Sequence, residues 1–231
     1  MRSKILKIAV ILAVIAGAVF FIAKVKNRGS QDQNLQAMKD GIVADPIAKN
    51  ASLTPDQIAQ RLEQFKKAKE AVIASNFDSL QVVNQIALLK QQLGDFEGAR
   101  IAWEFANIIR PKNSLSFANL AALYHFDLKQ YDKAEKNYLI SIANDPKDVP
   151  TIRNFFELYY YAIKDNVKAE AVLLKAIDQN PNAADLYSLL GSFYKETGNR
   201  EKAILYFKKH LEMNPGNEAV KRELANLEKG A

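Results

Sequence analysis

Four alanines set the strongest constraint on this chain. Ala99, Ala134, Ala169 and Ala203 stand 35, 35 and 34 residues apart. Twelve residues after each comes a proline: Pro111, Pro146, Pro181 and Pro215. Four residues after each comes a large apolar side chain: Trp103, Tyr138, Leu173 and Phe207. Seven after come Ala106, Ser141, Ala176 and His210, mostly small. Self-similarity at such a period marks a stack of supersecondary units, each too small to bury its apolar face alone.

The chemistry of each position follows. A small residue at the alanine lets one helix approach another closely. The side chain four residues on lies one turn further along the same face and fills the gap. The proline stops that helix, because it lacks an N–H donor and clashes with the preceding turn. Before each alanine lies a turn, as in LGDFEGA ahead of Ala99 and ETGNREKA ahead of Ala203. Before the turn lies another amphipathic segment, which carries Tyr187, Leu190, Gly191 and Tyr194 in the last unit.

This pattern resembles the tetratricopeptide repeat, a 34-residue helix–turn–helix. Tyr187, Leu190, Gly191, Tyr194, Ala203, Phe207 and Pro215 sit at seven of its signature positions, and His210 departs where alanine is preferred. An earlier unit matches with Val83, Ile86, Ala87, Gly94, Ala99, Trp103, Ala106 and Pro111. The two middle units each hold one extra residue. In the second, Phe117, Leu120, Ala121 and Tyr124 match the first helix, which places the extra residue in the turn before Ala134. In the third, Ile152, Phe155 and Tyr159 match, and Phe156 falls where glycine or alanine is usual. The resemblance covers 80–217 and implies an all-α fold, a right-handed α-solenoid of four repeats, with 218–231 as a capping helix. It also implies a concave face, lined by the first helices, that receives a peptide or helix of a protein partner. Carried over by position, the groove residues are Asn84, Gln85, Gln91, Asn119, His125, Arg153, Asn154, Glu157, Tyr160, Ser188, Ser192 and Lys195. Asparagine amides can bond a bound backbone without reading its sequence, or can bond within their own helix pair. The run Tyr159-Tyr160-Tyr161 cannot be buried on one helix face, so at least one ring is expected to be open to a partner.

Ahead of the repeats, Thr54 reads as an N-cap, Pro55 as the first helical residue and Gln57 as the partner of a capping box. Ile58, Leu62, Phe65 and Val72 then share a face, predicting a helix within 54–79 that packs on the repeats. Residues 29–53 are polar and mixed, with Gly29, Ser30, Gly41 and Pro46, and read as a flexible stalk.

Residues 1–28 read as a membrane anchor. Ile8 to Ala23 contains 16 residues with no polar side chain, or 19 counted from Ile5 with Lys7 snorkelling. At about 1.5 Å per residue, 5–23 spans roughly 28 Å, close to a hydrocarbon core. The alternative is a signal peptide cut after Ala18 or Ala23. The first cut leaves Val-Phe-Phe-Ile exposed, and the second puts Phe21 where a small residue is wanted. An uncleaved anchor with its short tail inside puts the bulk of the chain outside the cytoplasm, in the periplasm or at the cell surface of a bacterium.

Charge argues against nucleic acid. Residues 1–28 hold six basic residues and no acid; taking these from 32 leaves 26, against 26 acidic. A nucleic-acid surface needs an excess of Lys and Arg, and here the excess belongs to the anchor. With no cysteine and two unclustered histidines, the chain offers no thiolate, no metal-ligand spacing and no nucleophile–base pair. The expectation is therefore a chain that is not an enzyme, with no catalytic residue, metal or cofactor. Two roles remain. One is a membrane-tethered scaffold serving envelope assembly or secretion. The other is an architectural protein whose repeats self-associate into a homo-oligomer that organises a membrane complex.

Overall fold

The computed structural model describes residues 30–229, so the candidate anchor over 5–23 lies outside the described residues. Among the described residues, all regular structure is helical, and no helix is long and apolar enough to cross a membrane. The chain divides into two compact units, the first ending at Phe105 and the second beginning at Ala106.

The first unit contains α1 (30–43), α2 (Pro55–Ala74), α3 (Leu80–Leu93) and most of α4 (Phe96–Ile109). Helix α2 starts on the expected capping box. The Thr54 hydroxyl accepts from Gln57 N, and the Gln57 side chain accepts from Thr54 N. Phe65 and Val72 are buried together with Ala68, while Ile58 is half-buried and Leu62 exposed. Val83, Ile86 and Ala87 of α3 and Ala99, Ala102 and Trp103 of α4 complete the core.

Residues 30–53 are not a flexible stalk. Over 30–43 they form α1, whose Ile42 is buried and whose Lys39 ammonium lies 5.2 Å from the Phe77 ring centre. The stretch that follows is held against the end of α3. Lys49 N and Asn50 N both donate to Leu93 O at 2.8 and 3.0 Å, and Asn50 Nδ2 donates to Gln92 O at 2.8 Å. The buried Lys90 ammonium donates to Ala44 O at 2.7 Å and to Asp95 Oδ2 at 3.1 Å. The last carbonyls of a helix have no intrahelical donor. Here the polar residues that suggested a linker supply those donors.

The second unit contains α5 (Ser114–Ala122), α6 (Tyr131–Asn144), α7 (Val149–Glu157), α8 (Asn166–Gln179), α9 (Ala184–Glu196), α10 (Arg200–Met213) and α11 (Glu218–Lys229). Side chains of Asn113, Asp148, Asp165 and Asn199 cap α5, α7, α8 and α10 by accepting from the N–H three residues on. Ala134, Ala169 and Ala203 are buried, as are Tyr138, Leu173 and Phe207.

The extra residue of each middle unit is found inside the first helix rather than in the turn after it. Helices α5 and α7 continue into π turns at Leu123–Asp127 and Leu158–Ile163. In the 34-residue pattern, the first helix is closed by a bond spanning five residues, Asp95 N to Lys90 O or Asn199 N to Tyr194 O, each 2.8 Å. In the longer units the same bond spans six, Gln130 N to Tyr124 O and Asp165 N to Tyr159 O, also 2.8 Å. Phe156 keeps its place by a change of neighbour size. At the matching position of the last unit, a Cβ on Gly191 would lie 2.6 Å from the Phe207 ring. The third unit pairs Phe156 with Leu173 in that register, and Phe156 packs edge-on against Phe193 at 5.9 Å.

Successive repeats of the second unit are joined by a recurring triad. The Tyr159 hydroxyl donates to Glu135 Oε1 at 2.6 Å, with the Lys168 ammonium 5.1 Å from the Tyr159 ring centre and 3.7 Å from Glu135. One repeat on, Tyr194 donates to Glu170, with Lys202 4.6 Å from the ring centre and 3.2 Å from Glu170. His210 also fits its place. Nδ1 donates to Ala184 O at 2.8 Å, as the Ser141 hydroxyl does to Ser114 O at 2.9 Å. Nε2 then accepts from Asn217 Nδ2 at 2.9 Å, while Asn217 Oδ1 caps α11 at Val220 N.

Candidate partner-binding site

Helices α7 and α9 each bury one side and leave the other open. Ile152, Phe155 and Tyr159 point into the packing of α7; Arg153 is exposed, and Asn154, Glu157 and Tyr160 are half-buried. A helix that turns 100° per residue places these two sets on opposite sides. On α9 the open side carries half-buried Ser188 and Ser192 and exposed Lys195, and on α5 it carries half-buried Asn119.

The π turn of α7 and the end of α9 assemble an aromatic patch between them. Tyr160 packs edge-on against Phe193 at 5.4 Å, stacks with Phe156 at 5.4 Å and touches Tyr161 at 4.7 Å. Burial first, and the Glu196 carboxylate second, push the Tyr160 hydroxyl up to about 12. The hydroxyl is therefore a neutral donor at every physiological pH. Of the three consecutive tyrosines, Tyr159 is buried, Tyr160 half-buried and Tyr161 open, at 60 % exposure. Partial desolvation by the neighbouring side chains, and then Glu196 and Glu157, raise the Tyr161 hydroxyl as well. Phe126 occupies the matching place in the π turn of α5 and is likewise exposed.

Of the residues expected in a groove, His125 is turned inward and several others carry bonds of their own. His125 is buried, 3.4 Å from the Tyr138 hydroxyl and stacked under Phe126 at 3.9 Å. Its ring turns into the packing against Tyr138 of α6, whereas Tyr160, at the matching place of the next π turn, stays half-buried on the open side. Burial, with help from Lys129, lowers the His125 pKa to about 4, so it is neutral near pH 7. Ser188 Oγ donates to Asp185 O of its own helix at 2.9 Å. Lys195 pairs with Glu223 of α11 at 2.8 Å. Gln85 is exposed and Asn84 and Gln91 are half-buried; all three belong to the first unit, and the latter two have interactions of their own. Phe193, Glu196 and Tyr161 are additions to the expected set. The 35-residue repeat of exposed Phe126 and Tyr161 is the sequence signal that could have found the last of them.

Residues 184–217 match the tetratricopeptide repeat family model. The window opens at the first residue of α9 and runs past the end of α10, so it covers one helix pair. Solved structures of similar fold extend the likeness to most of the chain. The C-terminal part of a TPR repeat-containing protein from Cytophaga hutchinsonii superimposes with a TM-score of 0.60 at 17% identity, over 74% of this chain and 67% of its own. The MamA protein gives 0.52 at 23% identity, over 65% and 81%. YrrB, described as a TPR protein with an unusual peptide-binding site, gives 0.51 at 17% identity, over 71% and 82%. At these identities the likeness is one of fold. No curated protein matches the chain in sequence.

Proposed function

We propose that the chain is a membrane-tethered, non-enzymatic interaction scaffold that captures a segment of a protein partner on the open side of its first helices. The observation that carries this reading is the patch of Tyr160 and Tyr161, an aromatic surface backed by the buried Phe193 and bordered by Glu157, Glu196 and the polar side chains of α7 and α9. Tyr160 is held half-buried between Phe156 and Phe193 and Tyr161 stands open beside it, so one ring is fixed in advance and the other offers contact area to a partner. The fold supports the reading, and among structures of similar fold YrrB is described as having a peptide-binding site. Tethering is supported by the apolar run from Ile5 to Ala23, which has the length of a bilayer span. On this reading the repeats lie outside the cytoplasm and serve assembly or secretion at the envelope.

A photo-crosslinking residue at position 161, in native membranes, tests the surface. Capture of a discrete partner, lost in a Tyr160→Ala/Tyr161→Ala variant of unchanged stability, is the expected result. The same partners recovered with that variant would refute the face. Crosslinks only between copies of this chain would point to the architectural role instead. Tethering predicts that the protein resists carbonate extraction and keeps its first residues; an intact mass starting at Val19 or Lys24 would overturn it.

A further inference from the structure

Between the second helices α6 and α8 a cleft of about 400 Å³ opens away from the first-helix face. Leu139 and Ile142 form one wall, Ala171 and Val172 the other, and Ile152 of α7 and Tyr159 of the π turn that follows it contribute to the floor. One repeat further on, a tyrosine ring occupies the corresponding place. There Tyr206 stands at the position of Val172, Tyr187 at that of Ile152, and Tyr194 at that of Tyr159. The Tyr206 ring stacks on Tyr194 at 5.5 Å, lies 6.4 Å from Tyr187, and has the Lys209 ammonium 5.4 Å from its centre.

The α6–α8 cleft retains the surroundings of that ring but not the ring. Tyr159 is there, and Lys175, the counterpart of Lys209, stands on the wall; Val172 gives Lys175 no aromatic face to cover. Charge sets the second requirement. Two ammonium groups, Lys168 and Lys175, line the cleft against one carboxylate, Glu135. That carboxylate is already engaged by the Tyr159 hydroxyl at 2.6 Å and by Lys168 at 3.7 Å. The lining is thus apolar at its base with an excess positive charge at its rim.

We infer that this cleft receives an aromatic side chain from a protein partner, in a segment that carries carboxylates beside the aromatic. The incoming ring takes the position that Tyr206 takes in the next repeat, against Tyr159 and beneath Lys175, where a cation–π contact forms in a partly desolvated site. The flanking carboxylate meets Lys175, so rim charge and ring select the same segment. This site is separate from the Tyr160 patch and does not rest on it.

The test uses the full chain in detergent and a fluorescein-labelled peptide, Asp-Glu-Phe-Asp-Glu, followed by anisotropy. Controls replace Phe by Ala, or the four acids by Lys. The expected result is saturable binding of the acidic aromatic peptide, at least tenfold weaker for both controls. Val172→Tyr, which supplies the chain's own ring, should abolish binding. Lys175→Glu changes an exposed side chain, leaves the fold intact, and should weaken the acidic peptide at least tenfold while favouring the Lys-flanked one. Tyr160→Ala should leave binding unchanged. Equal binding of the Ala control, or undiminished binding by Lys175→Glu, overturns the proposal. So does self-association of the chain that Val172→Tyr abolishes, because the occupant is then a second copy.

Discussion

Adding one methyl group at Gly191 should be far costlier than its size suggests. A Cβ there would lie 2.6 and 2.7 Å from Cδ1 and Cε1 of Phe207 and 3.1 Å from Cγ. Carbon atoms in ordinary contact sit at about 3.5–4.0 Å, so about 1 Å of overlap must be relieved. Phe207 is 1 % exposed and cannot swing away, so the helices must part. Overpacking of this kind costs about 1–3 kcal/mol. Gly191→Ala is therefore expected to destabilise the chain by about 2 kcal/mol, although alanine is the better helix former by about 1 kcal/mol. The third repeat shows the remedy, since it pairs a large residue, Phe156, with Leu173 in place of the aromatic. Phe207→Leu alone should cost about 1 kcal/mol, and the double variant should be less destabilised than the sum of the two by at least about 1 kcal/mol. Urea denaturation followed by far-ultraviolet circular dichroism measures all four corners of the cycle. Strict additivity, or a Gly191→Ala chain as stable as wild type, would refute the close approach of α9 and α10.

Other changes probe other features. His125 is neutral when folded down to about pH 4 against an ordinary value near 6.5, so the unfolded chain takes up a proton first as pH falls. Stability should drop between about pH 6.5 and 4, by about 2 kcal/mol once residual solvent screening is allowed for, and His125→Phe should flatten that slope in a pH series of melts. Lys129 and Lys164 hold φ of 55° and 63° where the units of 34-residue pattern have Gly94 and Gly198. Lys129→Gly and Lys164→Gly should each raise stability by about 0.5–1 kcal/mol in urea titrations, and a loss would mean those turns are not left-handed. Lys90→Met strips Ala44 O of its donor and Asp95 of its partner, at a cost of about 3 kcal/mol. Limited proteolysis should then cut first within 44–53, and an unchanged cleavage pattern would show that Lys90 does not hold that segment.

The periodic positions carried most of the fold into the sequence. A buried alanine, a filler four residues on and a stopping proline are requirements of close helix packing, and Ala203, Phe207 and Pro215 could be read for that reason. The capping box at Thr54 was legible because it is a local device. What escaped was non-local. Residues 30–53 look like a linker because their polar groups are free in sequence, and only the bare carbonyl ends of α3 show what they bond. His125 stands at an open position by count, but its ring lies buried against Tyr138 of α6. The site was partly legible. The tyrosine run announced an exposed ring, while Phe193 and Glu196 join it only because α9 lies beside α7. The α6–α8 cleft is made by what two side chains lack, Val172 and Ile152 against Tyr206 and Tyr187, and becomes visible only when one repeat is laid over the next.

An inserted residue inside a helix ordinarily rotates everything after it by 100° and would throw the following contacts out of phase. In α5 and α7 the π turns take up the insertion as a single wider loop of backbone, and Ala134 and Ala169 remain buried in step with Ala203. Repeat length is thus a local quantity here, decoupled from the spine. Each wider loop also lifts a ring, Phe126 or Tyr161, off the helix surface. A lineage could gain or lose such a ring by a three-nucleotide insertion or deletion, changing what the surface can hold without disturbing the helix pairs beneath.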